Sequence, residues 1–173
     1  MKGYYQTYSE IFDSISDCVD KSRIVPCLIL IYTGLDSFSS LANRTRDSGR
    51  KVFMDWTKTW MLAKYPLACN EIDIYAARCG LLHSQKSESV LSQNGLAKEL
   101  YYAWGNAEIK ILEKAIIDSG KQSECLAIKI EDLITSFRNG VADCFKAIYE
   151  DYEWAASFEE NAKNLFMSVV QPH

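Results

Sequence analysis

Two histidines occur in this chain, His83 and the C-terminal His173, and only His83 lies inside the body of the sequence. It closes the hexapeptide Arg78-Cys79-Gly80-Leu81-Leu82-His83, in which four residues separate the arginine from the imidazole. An imidazole exchanges its proton near neutral pH, whereas a guanidinium stays cationic and offers a planar fork of donors that fits phosphate oxygens. Acid/base chemistry beside a phosphate is the reaction this pair suits. The bland alternative is a histidine that packs or caps the end of an apolar helix, since a motif this short also arises by chance.

The pair must be carried by a helix. Asn70 is its expected N-cap, and Asp73 completes a partial capping box. Ile72, Tyr75, Ala76 and Cys79 form the expected packing face, and Ala76-Ala77 permit close approach by another helix. Five residue steps turn a regular α-helix through about 500°, which leaves the Arg78 and His83 side chains about 140° apart. Gly80 costs a helix about 1 kcal/mol relative to Ala, so a distortion or early end there is the expected means of convergence. The polar residues 84–94 that follow form a loop, and its place beside the motif makes it the natural lid or substrate-contacting segment, beginning with Ser84 and Gln85.

A second basic feature precedes the motif. Residues 43–51 carry Arg44, Arg46, Arg50 and Lys51 against the single acid Asp47. They form either a solvated interhelical loop or a small patch that positions a nucleic-acid backbone.

Periodicity supplies the scaffold. Tyr4, Tyr8, Ile11, Phe12, Ile15 and Val19 draw one apolar stripe along a first helix. Residues 26–43 begin with Pro26 in a favoured first-turn position and are apolar almost all round, which marks the central helix. Val52, Phe53, Trp56, Trp60 and Met61 suit a core stripe in a third helix ended by Pro66 better than an exposed base-stacking platform. The short runs at 100–104 and 126–131 flank a helix containing Ile109, Leu112 and Ile116, and a β-hairpin is expected from them. A long helix from about Ile130 to Asp151 and a last one from Trp154 to Val169 complete the chain. The expected fold is mainly α: one domain over residues 1–173, a bundle of five or more helices with one short β-hairpin.

Composition narrows the function classes. With 23 acidic and 19 basic residues the chain has no overall field that would gather nucleic acid, so an RNA-binding role requires a local basic site. Six cysteines show no Cys-x-x-Cys pair and read as reduced core residues; with two histidines a zinc site has little to draw on, and no metal or other cofactor is expected. The N-terminus lacks the apolar run of a signal peptide, and the apolar stretch from Ile24 to Tyr32 is about half the ~20 residues of a membrane span. A cytoplasmic location without membrane association is the expectation.

The segment Asp73-Ile-Tyr-Ala-Ala-Arg-Cys-Gly-Leu-Leu-His-Ser-Gln resembles the motif helix of HEPN proteins (higher eukaryotes and prokaryotes nucleotide-binding domains), whose signature is Arg, four to six residues, then His. The resemblance covers that segment well and the helical remainder loosely. It implies a metal-independent endoribonuclease of the kind used by toxins and phage-defence systems, and a homodimer in which two motifs share a composite cleft. RNA or a nucleotide would be the ligand, with an antitoxin protein as a further partner. In that role His83 does the acid/base work and Arg78 stabilises the phosphate. The family often places a polar residue on a preceding helix near the pair, and Asp36 fits that position. A buried carboxylate needs a donor such as Arg78 or His83, although Asp36 equally suits a surface-facing position on an amphipathic helix. Many active members carry a polar residue directly after the arginine, and Cys79 departs from that pattern. The alternative function is an inactive HEPN-like dimer that binds nucleotide, RNA or protein.

Overall fold

A computed structural model describes residues 2–45, 47, 49–84, 86 and 88–163. Its first helix, α1 (Lys2–Asp20), buries Tyr8 and Ile15 and half-buries Tyr4, Ile11, Phe12 and Val19, following the stripe set by their spacing. The second, α2 (Ile24–Leu41), is the central helix; Cys27, Leu28, Ile31, Tyr32, Leu35 and Phe38 are all buried along it. It starts two residues before Pro26, which sits within the first turn, where a missing N–H breaks no intrahelical bond. By length and hydropathy alone this helix could cross a membrane, and half of the stretch is buried inside the fold.

The third helix, α3 (Gly49–Trp56), continues into a π-helical turn (Thr57–Leu62) rather than running regularly to Pro66. Phe53, Trp56 and Met61 are buried here, as a core stripe requires. There follow α4 (Glu71–Ser84), the single turn α5 (Val90–Gln93), β1 (Glu99–Ala103), α6 (Ile109–Asp118), β2 (Cys125–Lys129), α7 (Ile130–Glu150) and α8 (Tyr152–Ala162). The widened π turn lies against α7, where Gly140 lets the backbones meet: a Cβ there would stand 3.0 Å from the Trp60 carbonyl oxygen.

The two strands correct the sequence expectation. They pair in parallel, from Glu99 opposite Cys125 to Ala103 opposite Lys129, and so do not form a hairpin. Parallel neighbours require a crossover of about a dozen residues or more, and residues 104–124, which contain α6, supply it. The two runs do form one small sheet, but the helix between them decides its direction. Ile116 of α6 covers Cys125 and Ala127 in a small separate core.

The main core is aromatic and centred on Phe38, whose ring lies 4.9 Å from Tyr8, 5.3 Å from Trp56 and 4.9 Å from Phe145. These rings belong to α1, α3 and α7, so one side chain of α2 ties three helices together. Replacing Phe38 by Ala should therefore destabilise the fold by about 3–5 kcal/mol, read from the midpoint of urea unfolding. A shift worth less than about 1 kcal/mol would show that the surrounding rings collapse into the space.

Candidate functional site

The N-terminus of α4 is fixed by the capping box. The Asn70 side-chain oxygen accepts from the N–H groups of Ile72 (2.8 Å) and Asp73 (3.0 Å), and the Asp73 carboxylate accepts in return from the Asn70 N–H at 3.0 Å. The second oxygen of Asp73 accepts from the Lys98 N–H at 2.7 Å, just before β1. A carboxylate only 3 % exposed is thus satisfied twice over, and it locks the motif helix to the sheet.

The packing face of α4 differs from expectation. Asp73, Ile74, Ala76, Ala77 and Gly80 are buried, whereas Ile72, Tyr75 and Cys79 are half-buried. The helix is apolar on more than one side, so spacing alone did not single out which face meets α2. Tyr75 instead packs edge-on against Phe53 at 5.5 Å, and burial and its hydrogen bond with Cys79 push its hydroxyl above the usual phenol range.

Nor is α4 broken at Gly80: it runs unbroken to Ser84. Arg78 and His83 nevertheless meet, because the length of the arginine closes the gap that helix geometry leaves. One guanidinium nitrogen, Nη2, donates to Asp36 Oδ2 at 2.7 Å, and the other, Nη1, lies 3.2 Å from His83 Nε2. A guanidinium has only donors, so Nε2 is the acceptor and the ring proton belongs on Nδ1. Asp36 meets the donor that burial demands of it while its side chain stays 40 % exposed, which combines the two positions open to it from sequence. Burial opposes the charge of Arg78, whose side chain is 18 % exposed; the bond and charge of Asp36, with a smaller share from Cys79, more than restore it, and its pKa is raised. Arg78 Nε is buried without a hydrogen-bond partner.

Gly80 has a different task. A Cβ on it would fall 2.7 Å from the Lys86 carbonyl oxygen and 2.9 Å from that of Glu88, so only glycine lets the loop fold back onto α4. The Lys86 N–H donates to the Gly80 carbonyl at 3.1 Å and fastens this return. Further along, Ser89 and Ser92 cap α5 reciprocally, the Ser89 N–H donating to Ser92 Oγ at 2.8 Å. The loop thus becomes one wall of a cleft of about 440 Å³, whose other wall is α4 with Tyr75, Cys79 and the exposed His83. On its far side Asp36 borders a polar groove of about 550 Å³ with Ser37, Ser40 and Asn161.

The basic residues of 43–51 divide. Arg50 lines the His83 cleft, its guanidinium 5.5 Å over the Tyr75 ring. Arg44 is drawn away by Asp151 (3.0 Å) and the face of Trp154, and Lys51 pairs with Asp47 (2.8 Å) and Asp55 (2.9 Å). Arg46 and Gln85 lie outside the described residues, and Ser84 ends α4. The structure adds Lys86 to the cleft, which sequence reasoning passed over, and turns Tyr75 from a core residue into a lining one. The Ser89-x-x-Ser92 spacing was the one available signal that the loop contains an ordered turn.

All six cysteines are free. Burial pushes the thiols of Cys69 and Cys144 up to about 12, which suits core residues and not nucleophiles. Among the described residues no group of three or more His, Cys, Asp or Glu side chains is placed to hold a metal ion. No family model, curated protein or solved structure matches this chain.

The Gly80→Ala variant tests the loop contact. Alanine gains about 1 kcal/mol of helix propensity, but a clash against backbone oxygens costs about 1–3 kcal/mol, so the net change should be destabilising. Limited proteolysis should cut residues 84–94 faster in the variant; unchanged cleavage with raised stability would show that the loop does not rest on Gly80.

Proposed function

We propose that this chain is a metal-independent endoribonuclease of the HEPN type, which cuts RNA by attack of a ribose 2′-hydroxyl on the adjacent phosphodiester. The observation that carries it is the Asp36–Arg78–His83 relay: one guanidinium bonded to a carboxylate and an imidazole, with the imidazole exposed at the mouth of a cleft. Arg78 is held by Asp36 in the position from which its other arm reaches a phosphate oxygen. Binding of that phosphate draws Nη1 from His83 and frees the Nε2 lone pair, which takes the 2′-hydroxyl proton as the oxygen attacks phosphorus. The departing 5′-oxygen takes a proton in turn, and the product carries a 2′,3′-cyclic phosphate.

The same reading includes a cytoplasmic homodimer with a toxin or phage-defence role and an antitoxin protein as partner. One copy offers a single usable histidine, so a two-fold axis beside the motif would supply a second as general acid; isologous dimers are the commonest soluble oligomers. Sedimentation of the purified protein should give a dimer, and a strict monomer would remove the composite cleft. A second reading, an inactive HEPN-like binding module, draws on the engagement of both terminal nitrogens of Arg78 within its own chain, by Asp36 and His83.

Cleavage of bulk RNA in excess chelator separates the two. The ribonuclease should yield 2′,3′-cyclic ends, and binding without cleavage would favour the module. His83→Ala should lower the rate by about 10²–10⁴-fold while the protein stays folded. Arg78→Lys should also impair cleavage, because a point charge cannot hold Asp36 and a phosphate as a fork does; a Lys variant with full activity would place Arg78 outside the chemistry.

A further inference from the structure

The cleft beside His83 is built for more than a phosphate. A phosphate needs charge and donors, and His83 on the cleft wall, with Arg78 hydrogen-bonded to it, meets that need. The cleft, about 440 Å³ in all, lies within the ~300–1,000 Å³ typical of small-molecule sites, and its lining includes the half-buried Tyr75 and Leu91 with the exposed Val90 at its edge. Two cations, Lys86 and Arg50, and one carboxylate, Glu88, border it, and the Arg50 guanidinium carbon lies 5.5 Å over the Tyr75 ring. An aromatic ring with a guanidinium over it, aliphatic neighbours and cations beside an acid/base pair are the features by which a nucleobase attached to a phosphate is held.

We propose that this cleft is a nucleobase subsite, in which the base of the nucleotide next to the scissile phosphate stacks on the Arg50–Tyr75 pair against Val90 and Leu91. The inference rests on the ribonuclease reading for its place in the reaction, but not for the binding itself. It gives the loop a defined task. The fold-back over Gly80, fixed by the Lys86–Gly80 hydrogen bond and the Ser89–Ser92 cap, sets the width of the slot. Arg50 and Tyr75 are then positioning and specificity residues for the base, while Arg78 and His83 act on the phosphate.

The test measures binding apart from cleavage. Calorimetric titration of the full chain with 5′-AMP, 5′-GMP, 5′-CMP and 5′-UMP should give binding at least about tenfold tighter than ribose 5-phosphate, which carries the same phosphate and sugar without a base. Arg50→Ala, at an exposed position, should weaken nucleotide binding by about tenfold, in keeping with the loss of one stacking contact, and should weaken ribose 5-phosphate binding less, so that the nucleotide preference shrinks. Leu91→Trp should fill the slot and abolish the nucleotide preference, with circular dichroism confirming that it folds. In RNA cleavage, Arg50→Ala should raise KM more than it lowers kcat. Equal affinity for nucleotides and ribose 5-phosphate, or an Arg50→Ala protein that binds nucleotides like the wild type, would overturn the subsite. Nucleotide binding by a protein that leaves RNA intact would uphold the subsite and remove the ribonuclease reading, whereas RNA cleavage by a protein that binds nucleotides no better than ribose 5-phosphate would do the reverse.

Discussion

A guanidinium that is mostly withdrawn from water must find a carboxylate, and the Arg78–Asp36 bond is where this fold meets that demand. It joins α4 to α2, the helix around which the others are packed. Because Asp36 lies on the half-solvated side of a helix whose other face is buried, the bond sits at the boundary of the core. From there the second arm of the guanidinium reaches His83. A lysine could neutralise Asp36, but it could not hold two partners in one plane.

The position of that bond depends on how α4 is clamped at both ends. Asp73 ties the first turn to its own cap and to the residue before β1, and Gly80 allows the loop to rest on the last turn. Between these clamps, small residues at Ala76 and Ala77 bring the helix close to its neighbours. The small parallel sheet serves the same arrangement, since β1 packs against α4 while α6 closes the crossover behind it. Removing either clamp would leave the Arg78–His83 pair on a helix free to shift against α2.

Electrostatics are local here. The chain is acidic overall, and the aromatic core around Phe38 contributes no charge, so any attraction for an anion must come from a few residues. Asp47, Asp55 and Asp151 take up Lys51 and Arg44, while Arg50 and Lys86 line one cleft beside the carboxylate of Glu88, and Arg78, paired with Asp36, reaches His83 on its wall. That sorting of cations is a property of the packed helices, and the charge count of the chain is silent about it.

The amino-acid sequence by itself determined the helical character, the stripe of α1, the central place of α2, the capping of α4 by Asn70 and Asp73, and the Arg78/His83 pairing as a chemical possibility. Each rests on local spacing, which 3.6-residue periodicity and capping chemistry make readable. Only the tertiary structure decided the rest. The strands at Glu99–Ala103 and Cys125–Lys129 run parallel because α6 must cross between them, and strand direction is a property of the connection, not of either strand. Asp36 reached Arg78 across 42 positions of sequence, a contact no local pattern encodes. Gly80 proved to be a seat for a loop and not a break in a helix, since its meaning depends on which backbone oxygens approach it. Arg50 separated from Arg44 and Lys51 for the same reason: Arg50 and Lys51 leave α3 in different directions, Arg44 lies in the segment before it, and the partners each one meets are fixed by the packing around them.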